Sequence, residues 1–282
     1  MTDYTQDFYS AQQTESLRSA RIVLPLLFTH YRPKSVVDVG CGVGPWLKVC
    51  TELGIDDVRG LDGSHVPTES LMIPHDRFCP ANLAEGIAAE REYDLAISLE
   101  VAEHLPAGRA RSFVGDLARL STVVLFSAAI PYQGGTAHIN ENWPEYWATL
   151  FRSFGFEPLD FLRPRLWNND DVCWWYRQNM LVFVREDFVH ESGLAFARQE
   201  VAWPLSTVHP DMFLWAVARP KRIAASRYPH DATLRAAQVA AWQEGKAETP
   251  QQTHAYGAEF HDDFGGFNPL RRLRRLVSRF SR

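Results

Sequence analysis

The 282-residue chain has only four cysteines and four methionines. Cys41, Cys50, Cys79 and Cys173 are scattered, and no two stand in a CxxC spacing. That argues against a zinc ribbon or a paired redox centre and fits a reducing compartment. Long apolar runs are also missing. The longest near the start, residues 22–28, is broken by Pro25, far short of the roughly 20 apolar residues that a membrane span needs. Basic residues are sparse outside the tail. Six arginines and no acid fall in residues 271–282, so the other 270 residues carry a net −11 against −5 for the whole chain. A body this acidic argues against a nucleic-acid partner, because phosphate binding needs clustered Lys and Arg. Met1-Thr2-Asp3-Tyr4 offers neither a basic start nor an apolar segment of the signal-peptide kind, so a cytoplasmic location is expected. What remains is ordinary: 46% hydrophobic and 22% charged residues, enough at this length for a large core without staples.

Strand-like runs alternate with helical stretches. Apolar, often β-branched runs predict strands at 35–39, 58–62, 77–79, 93–99, 122–127, 156–161 and 179–184. Helical spacing marks 11–31, 45–54, 82–90, 107–119 and 144–153. Such alternation means βαβ units and an α/β fold with a doubly wound, mostly parallel sheet. The pattern weakens after residue 187. The chain therefore divides into a domain over 1–187, a helical or irregular extension over 188–243, a linker-like stretch over 244–269 and a basic helix over 270–282. In that last segment Leu270, Leu273, Leu276, Val277 and Phe280 form one stripe among arginines, a pattern suited to an anionic membrane surface. Peripheral placement at the inner membrane face is one reading of it; packing on the chain's own acidic body and a disordered tail are the competing ones.

The run 35–39 leads directly into Gly40-Cys41-Gly42-Val43-Gly44. Glycines at a strand–helix turn let the backbone approach a ligand, and the following helix aims its amides at it. Asp38 precedes the glycines, and Asp62 ends the next strand, where a carboxylate can accept from both ribose hydroxyls. A nicotinamide dinucleotide domain would want a third glycine near position 45, where Pro45 stands. The motifs Val37-Asp38-Val39-Gly40-Cys41-Gly42-Val43-Gly44, Leu61-Asp62-Gly63, Asn82-Leu83 and Asp94-Leu95-Ala96-Ile97-Ser98-Leu99-Glu100 resemble, in order, those of class I S-adenosylmethionine (SAM)-dependent methyltransferases. That resemblance covers residues 15–187. It implies a seven-stranded sheet with an antiparallel last strand. It also implies that Gly40 and Gly42 line the methionine moiety, that Asp62 holds the ribose and that Asn82 and the Leu83 amide read the adenine edge. Asp38, Cys41, Gly44, Gly63 and Leu99 complete the expected cofactor contacts.

Glu100-Val101-Ala102-Glu103-His104 follows the fourth strand. Spacings of three and four put Glu100, Glu103 and His104 on one side of a helical turn. Two carboxylates and an imidazole suit a divalent metal, Mn or Mg first, with Fe or Zn as alternatives. His138 follows the fifth strand at the carboxyl edge, where parallel sheets bind ligands, and reaches toward the same place. The competing reading makes His104 a helix cap and His138 a loop histidine fixing Asn140 or Glu141. The ExxEH pattern is similar to that of ubiquinone-pathway O-methyltransferases, which place Mg on it. With the later histidine it is similar to the metal site of small-RNA 3′-end 2′-O-methyltransferases. Without a metal, His104 and His138 would serve as catalytic base and positioner.

Residues 143–179 hold five of the nine tryptophans, together with Tyr146, Arg165, Arg177 and Asn179. Aromatics beside amides and arginines suit a sugar, whose apolar face stacks while its hydroxyls hydrogen-bond. Trp143, Tyr146, Arg165, Trp167, Trp174, Arg177 and Asn179 are the expected acceptor contacts. The pieces Phe126-Ser127-Ala128-Ala129-Ile130-Pro131, His138-Ile139-Asn140-Glu141, Trp143-Pro144-Glu145-Tyr146-Trp147 and Trp174-Trp175-Tyr176-Arg177-Gln178-Asn179 resemble a bacterial methyltransferase group associated with surface-polysaccharide synthesis. The leading expectation is a SAM-dependent O-methyltransferase acting on a sugar or glycan hydroxyl with a divalent metal. The alternatives are an RNA 3′-end 2′-O-methyltransferase, a metal-independent O-methyltransferase using a histidine base, and a non-catalytic SAM-binding module.

Overall fold

The computed structural model describes residues 6–88, 91–198 and 205–218, all within one compact unit, Met1–Arg227. The stretches predicted as linker, 244–269, and as basic helix, 270–282, lie outside the described residues, as does the extension beyond 218.

Seven strands make one sheet: β1 Ser35–Val39, β2 Asp57–Asp62, β3 Phe78–Pro80, β4 Leu95–Leu99, β5 Val123–Ser127, β6 Phe156–Leu159 and β7 Leu181–Arg185. Their order is β3-β2-β1-β4-β5-β7-β6. Only β7 runs against its neighbours, antiparallel to both β5 and β6, so the expected antiparallel last strand is present. The order reverses at β1, whose parallel neighbours are β2 and β4. Ligands bind outside the carboxyl ends of strands at such a switch point.

The central strands are buried on both faces, which explains their β-branched runs. Side chains alternate between two cores. Val36, Leu95, Ile97, Val123 and Leu125 join one with Leu24 and Leu27 of α1 (Gln6–Phe28) and Leu47 of α2 (Pro45–Glu52). Val37, Ala96, Val124 and Phe126 join the other with Phe113 of α3 (Ala110–Leu120) and Trp147 and Phe151 of α4 (Pro144–Arg152). Phe151 stacks on Phe183 of β7 at 3.9 Å between centroids.

Two short helices, α5 (Leu162–Leu166) and α6 (Trp174–Asn179), precede β7. Beyond β7, Val189, Leu194 and Ala197 reach into the first core. Arg163, fully buried and paired with Asp160, donates to the carbonyls of Gln178 and Leu205. This ties the segment before α7 (Pro210–Ala218) to the sheet. No helix among the described residues is long and apolar enough to cross a membrane.

The predicted helix at 82–90 does not form within residues 82–88. The Asn82 side chain accepts from the Ala84 amide, closing a turn, and Gly86 adopts φ 150°. Both devices favour turns over helix. The segment is held from outside instead: Arg109 donates to the Leu83 carbonyl, and the Ile87 amide donates to Asp116, which is paired with Arg109.

Candidate functional site

The turn between β1 and α2 is made of backbone. Gly40, Gly42 and Gly44 all have φ between 53° and 86°, the left-handed region open to glycine at no steric cost. At Gly40 a side chain is excluded twice, because a Cβ there would run into Val101. At Gly42 nothing lies within 4 Å of a Cβ position, so this turn leaves open space above its backbone. Asp62, at the end of β2, accepts from the Gly42 amide at 2.6 Å and from the Gly63 amide at 2.6 Å. Each oxygen keeps a further lone pair for a diol. Asp38 is buried beneath the turn with Oδ2 unpartnered. Burial and the nearby Asp62 hold its carboxyl well above the usual range.

SAM carries a ribose diol and cationic groups, and its site can be tested against these residues. An open glycine cradle, a strand-end carboxylate with spare lone pairs and an orphaned buried acid fit it. Cys41 and Leu99 are buried around the turn. On the adenine side Leu83 is buried, whereas Asn82 is exposed, with its carbonyl already accepting from Ala84.

The second half of the site lies beyond β4 and β5. Glu100 does not continue a helical turn with Glu103 and His104. It takes φ 57°, and a single 3-10 turn, Ala102–His104, follows it. This correction to the sequence reading has a packing cause: the Glu100 amide is spent on the Ser127 carbonyl at the end of β5. Its carboxylate accepts from Gln133 at 2.7 Å and from Asn179 at 3.1 Å. Burial raises its pKa, opposed by those donors and by His138.

Glu103, His104 and His138 come together, with ligand atoms all within 4.8 Å of one another. The two rings meet edge to face at 4.8 Å. Glu103 is completely buried, and neither carboxylate oxygen has a hydrogen-bond partner. Its own amide and that of Ala129 lie near enough to moderate its pKa without bonding to it. Burial and Glu100 still drive it well above the usual carboxylate range. His104 is exposed. Desolvation and His138 push its pKa down, leaving a neutral imidazole at pH 7. An orphaned carboxylate beside two imidazoles is a donor set that fits a divalent transition metal or Mg. Glu100 stands next to this group but outside it, engaged by Gln133 and Asn179.

The acceptor contacts expected from sequence divide. Trp143 is 40% exposed, and Tyr146 is half-buried beside Trp147. Trp174 and Trp167 are half-buried, and Trp167 lies against His209. Arg165 is exposed and donates to the Phe161 carbonyl of its own turn. Arg177 and Asn179 are corrected: both are buried. Arg177 is committed to Asp170, Asp211 and the Trp167 carbonyl, and Asn179 to Glu100 and Gln133. Here they give internal support. Two residues the sequence reading left out stand in the site: Gln133, which braces Glu100, and Tyr132, 79% exposed at φ 69°. A strained, exposed aromatic is a surface feature that spacing does not reveal.

A family model described as a methyltransferase domain matches residues 9–160. Among curated proteins, a probable chloroplastic tocopherol O-methyltransferase of Oryza sativa subsp. japonica is 31% identical over 98 residues, covering 32% of this chain and 26% of its own length. The chain thus spans about a quarter of the curated relative it matches. Among solved structures, the sugar N-methyltransferase KedS8 from Streptoalloteichus sp ATCC 53650 aligns with a TM-score of 0.51 at 15% identity, over 66% of this chain and 94% of that one. The methyltransferase domain of bacterial CtHen1 aligns with a TM-score of 0.43 at 20% identity, over 61% of this chain and 98% of that one. At 15% identity the likeness to KedS8 speaks to fold alone.

Proposed function

The chain belongs to the methyltransferase-domain family, whose members draw the methyl group from SAM, and on that premise we propose that it methylates a hydroxyl of a sugar or glycan with the help of a divalent cation. The carrying observation is Glu103, a fully buried carboxyl with two unpartnered oxygens beside His104 and His138. It needs a cationic partner to be held ionised at that depth, and three convergent donors supply a place for one. Such a cation would act as a Lewis acid on the acceptor hydroxyl.

The rest falls to the chain's own residues. SAM already holds an activated methyl group, so the decisive task is to align the acceptor oxygen with it. The glycine turn and Asp62 fix one partner. The loop 128–143 borders the other. In the transfer the S–CH3 bond breaks, an O–CH3 bond forms, and the hydroxyl proton leaves to solvent or to an imidazole. The exposed rings of Tyr132 and Trp143 support a sugar acceptor, since an aromatic face packs on the apolar face of a pyranose.

A second reading uses His104 as general base without a cation. It is favoured by the neutral, solvent-open imidazole. Methyl transfer from labelled SAM to nucleotide sugars and glycans, with and without EDTA, separates the two. Loss of turnover in EDTA, its recovery with Mn or Mg and unchanged SAM binding are expected. Full activity in EDTA assigns the base role to His104 instead.

A further inference from the structure

Among the described residues three that are not glycine take left-handed backbone angles, Glu100, Tyr132 and Ala137, and all three border the acceptor half of the site. Such conformations are strained and persist only where their surroundings over-determine them. In the loop after β5 one side chain does this. The carboxylate of Glu141 accepts from the Tyr132 amide at 2.9 Å through Oε2 and from the Gly134 amide at 2.6 Å through Oε1. Oε1 also meets Nδ1 of His138 at 3.0 Å.

We propose that Glu141 is a positioning residue for the reaction, setting the tautomer of His138 and the stance of Tyr132 together. The inference rests on the metal-assisted reading above but has its own readout. A carboxylate only accepts, so Nδ1 facing Glu141 carries the ring proton and Nε2 keeps a bare lone pair. A carboxylate behind an imidazole in this way fixes ring orientation and raises its strength as a ligand or base. The loop geometry serves the same end. Gly135 has no side chain where a Cβ would strike the His138 ring. The amides of Ile139 and Asn140 both donate to the Glu103 carbonyl, at 2.9 and 3.0 Å. His138 is therefore held on one side by Glu141 and tied on the other to the strand of chain that carries Glu103. The Tyr132 amide rests on the same carboxylate, so the exposed Tyr132 and the half-buried His138 beside Glu103 share one support.

The test uses the full chain labelled with 15N-histidine, metal-free and with SAM present. The His138 signals are those missing from His138→Gln. Long-range 1H–15N spectra should show the Nδ1–H tautomer in the wild type. Glu141→Ala should return His138 to the Nε2–H form that an unsupported imidazole favours. Glu141→Asp, which keeps the acceptor but withdraws it, should be intermediate, and it carries the test if the alanine variant does not fold. Titration with Mn alone should show affinity weakened about 10- to 100-fold in Glu141→Ala, with SAM affinity at the wild-type value. An unchanged tautomer in both variants, or an Nε2–H tautomer in the wild type, overturns the proposal. A wild type that binds no Mn sinks the metal reading while the spectra still decide the role of Glu141.

Discussion

The two halves of the site are built from different material. The half over β1 and β2 is backbone: three left-handed glycines, two amides gathered by Asp62 and open space above Gly42. The half over β4 and β5 is side chain: Glu103 without partners, two stacked-edge imidazoles, Glu100 braced by Gln133 and Asn179, and a loop held at left-handed angles without glycine at Tyr132 and Ala137. A pocket of backbone tolerates little variation in chain path and much in neighbouring side chains. A pocket of buried polar side chains is the reverse: each member depends on the others being satisfied.

The largest effect should come from breaking the first half alone. If Asp62 accepts from two ribose hydroxyls as proposed, each bond worth roughly 1.5–3 kcal/mol when the acceptor is charged, Asp62→Ala removes both, and it also frees the Gly42 and Gly63 amides. Calorimetry should show SAM affinity down by a hundredfold or more, about 3 kcal/mol, with Mn binding intact. Next is the joint between the halves. Gly40→Ala puts a Cβ into Val101 at φ 84°, and should cost about 2–3 kcal/mol in denaturant unfolding. Adding Val101→Ala should recover the collision but not the backbone strain.

A third variant sharpens the contrast by stabilising the molecule. Glu103→Met replaces an orphaned buried carboxyl with an apolar chain of similar length and should raise metal-free stability by about 1–2 kcal/mol, read as a Tm gain of roughly 2–8 °C. The sign follows from linkage. The folded-state pKa of Glu103 lies well above its ordinary 4.5, so its wild-type contribution is intact below that value and is lost as pH rises. The advantage of Glu103→Met should therefore grow with pH, and turnover should vanish. The smallest loss of turnover is expected at Asn179→Ala, which removes one donor from Glu100. It should slow turnover about tenfold, near 1.4 kcal/mol, and leave SAM affinity unchanged.

The strands were legible because each carries its own signal: residues 35–39 hold three valines, at 36, 37 and 39, whose side chains divide between two cores. The glycine turn and Asp62 were legible for the same reason, since backbone demands leave glycine in the sequence. The 82–88 segment was not, because its shape is imposed by Arg109 and Asp116 from another element. Arg177 and Asn179 read as acceptor contacts by their type, yet their partners Asp211 and Glu100 lie far off in sequence and bury them. The four residues Glu100, Glu103, His104 and His138 were picked by type and place. That Glu100 turns away from the other three depends on φ 57° and on Gln133, neither of which a spacing encodes.

One carbonyl limits how this fold can diversify. Because the amides of Ile139 and Asn140 both land on the carbonyl of Glu103, the loop that borders the acceptor is not a detachable module. A recombination that exchanged residues 128–143 for those of a relative would import a new fit for Glu103 along with any new acceptor preference. Productive chimeras should therefore carry residues 100–104 and 128–143 as one inherited block, while the glycine turn stays with the host.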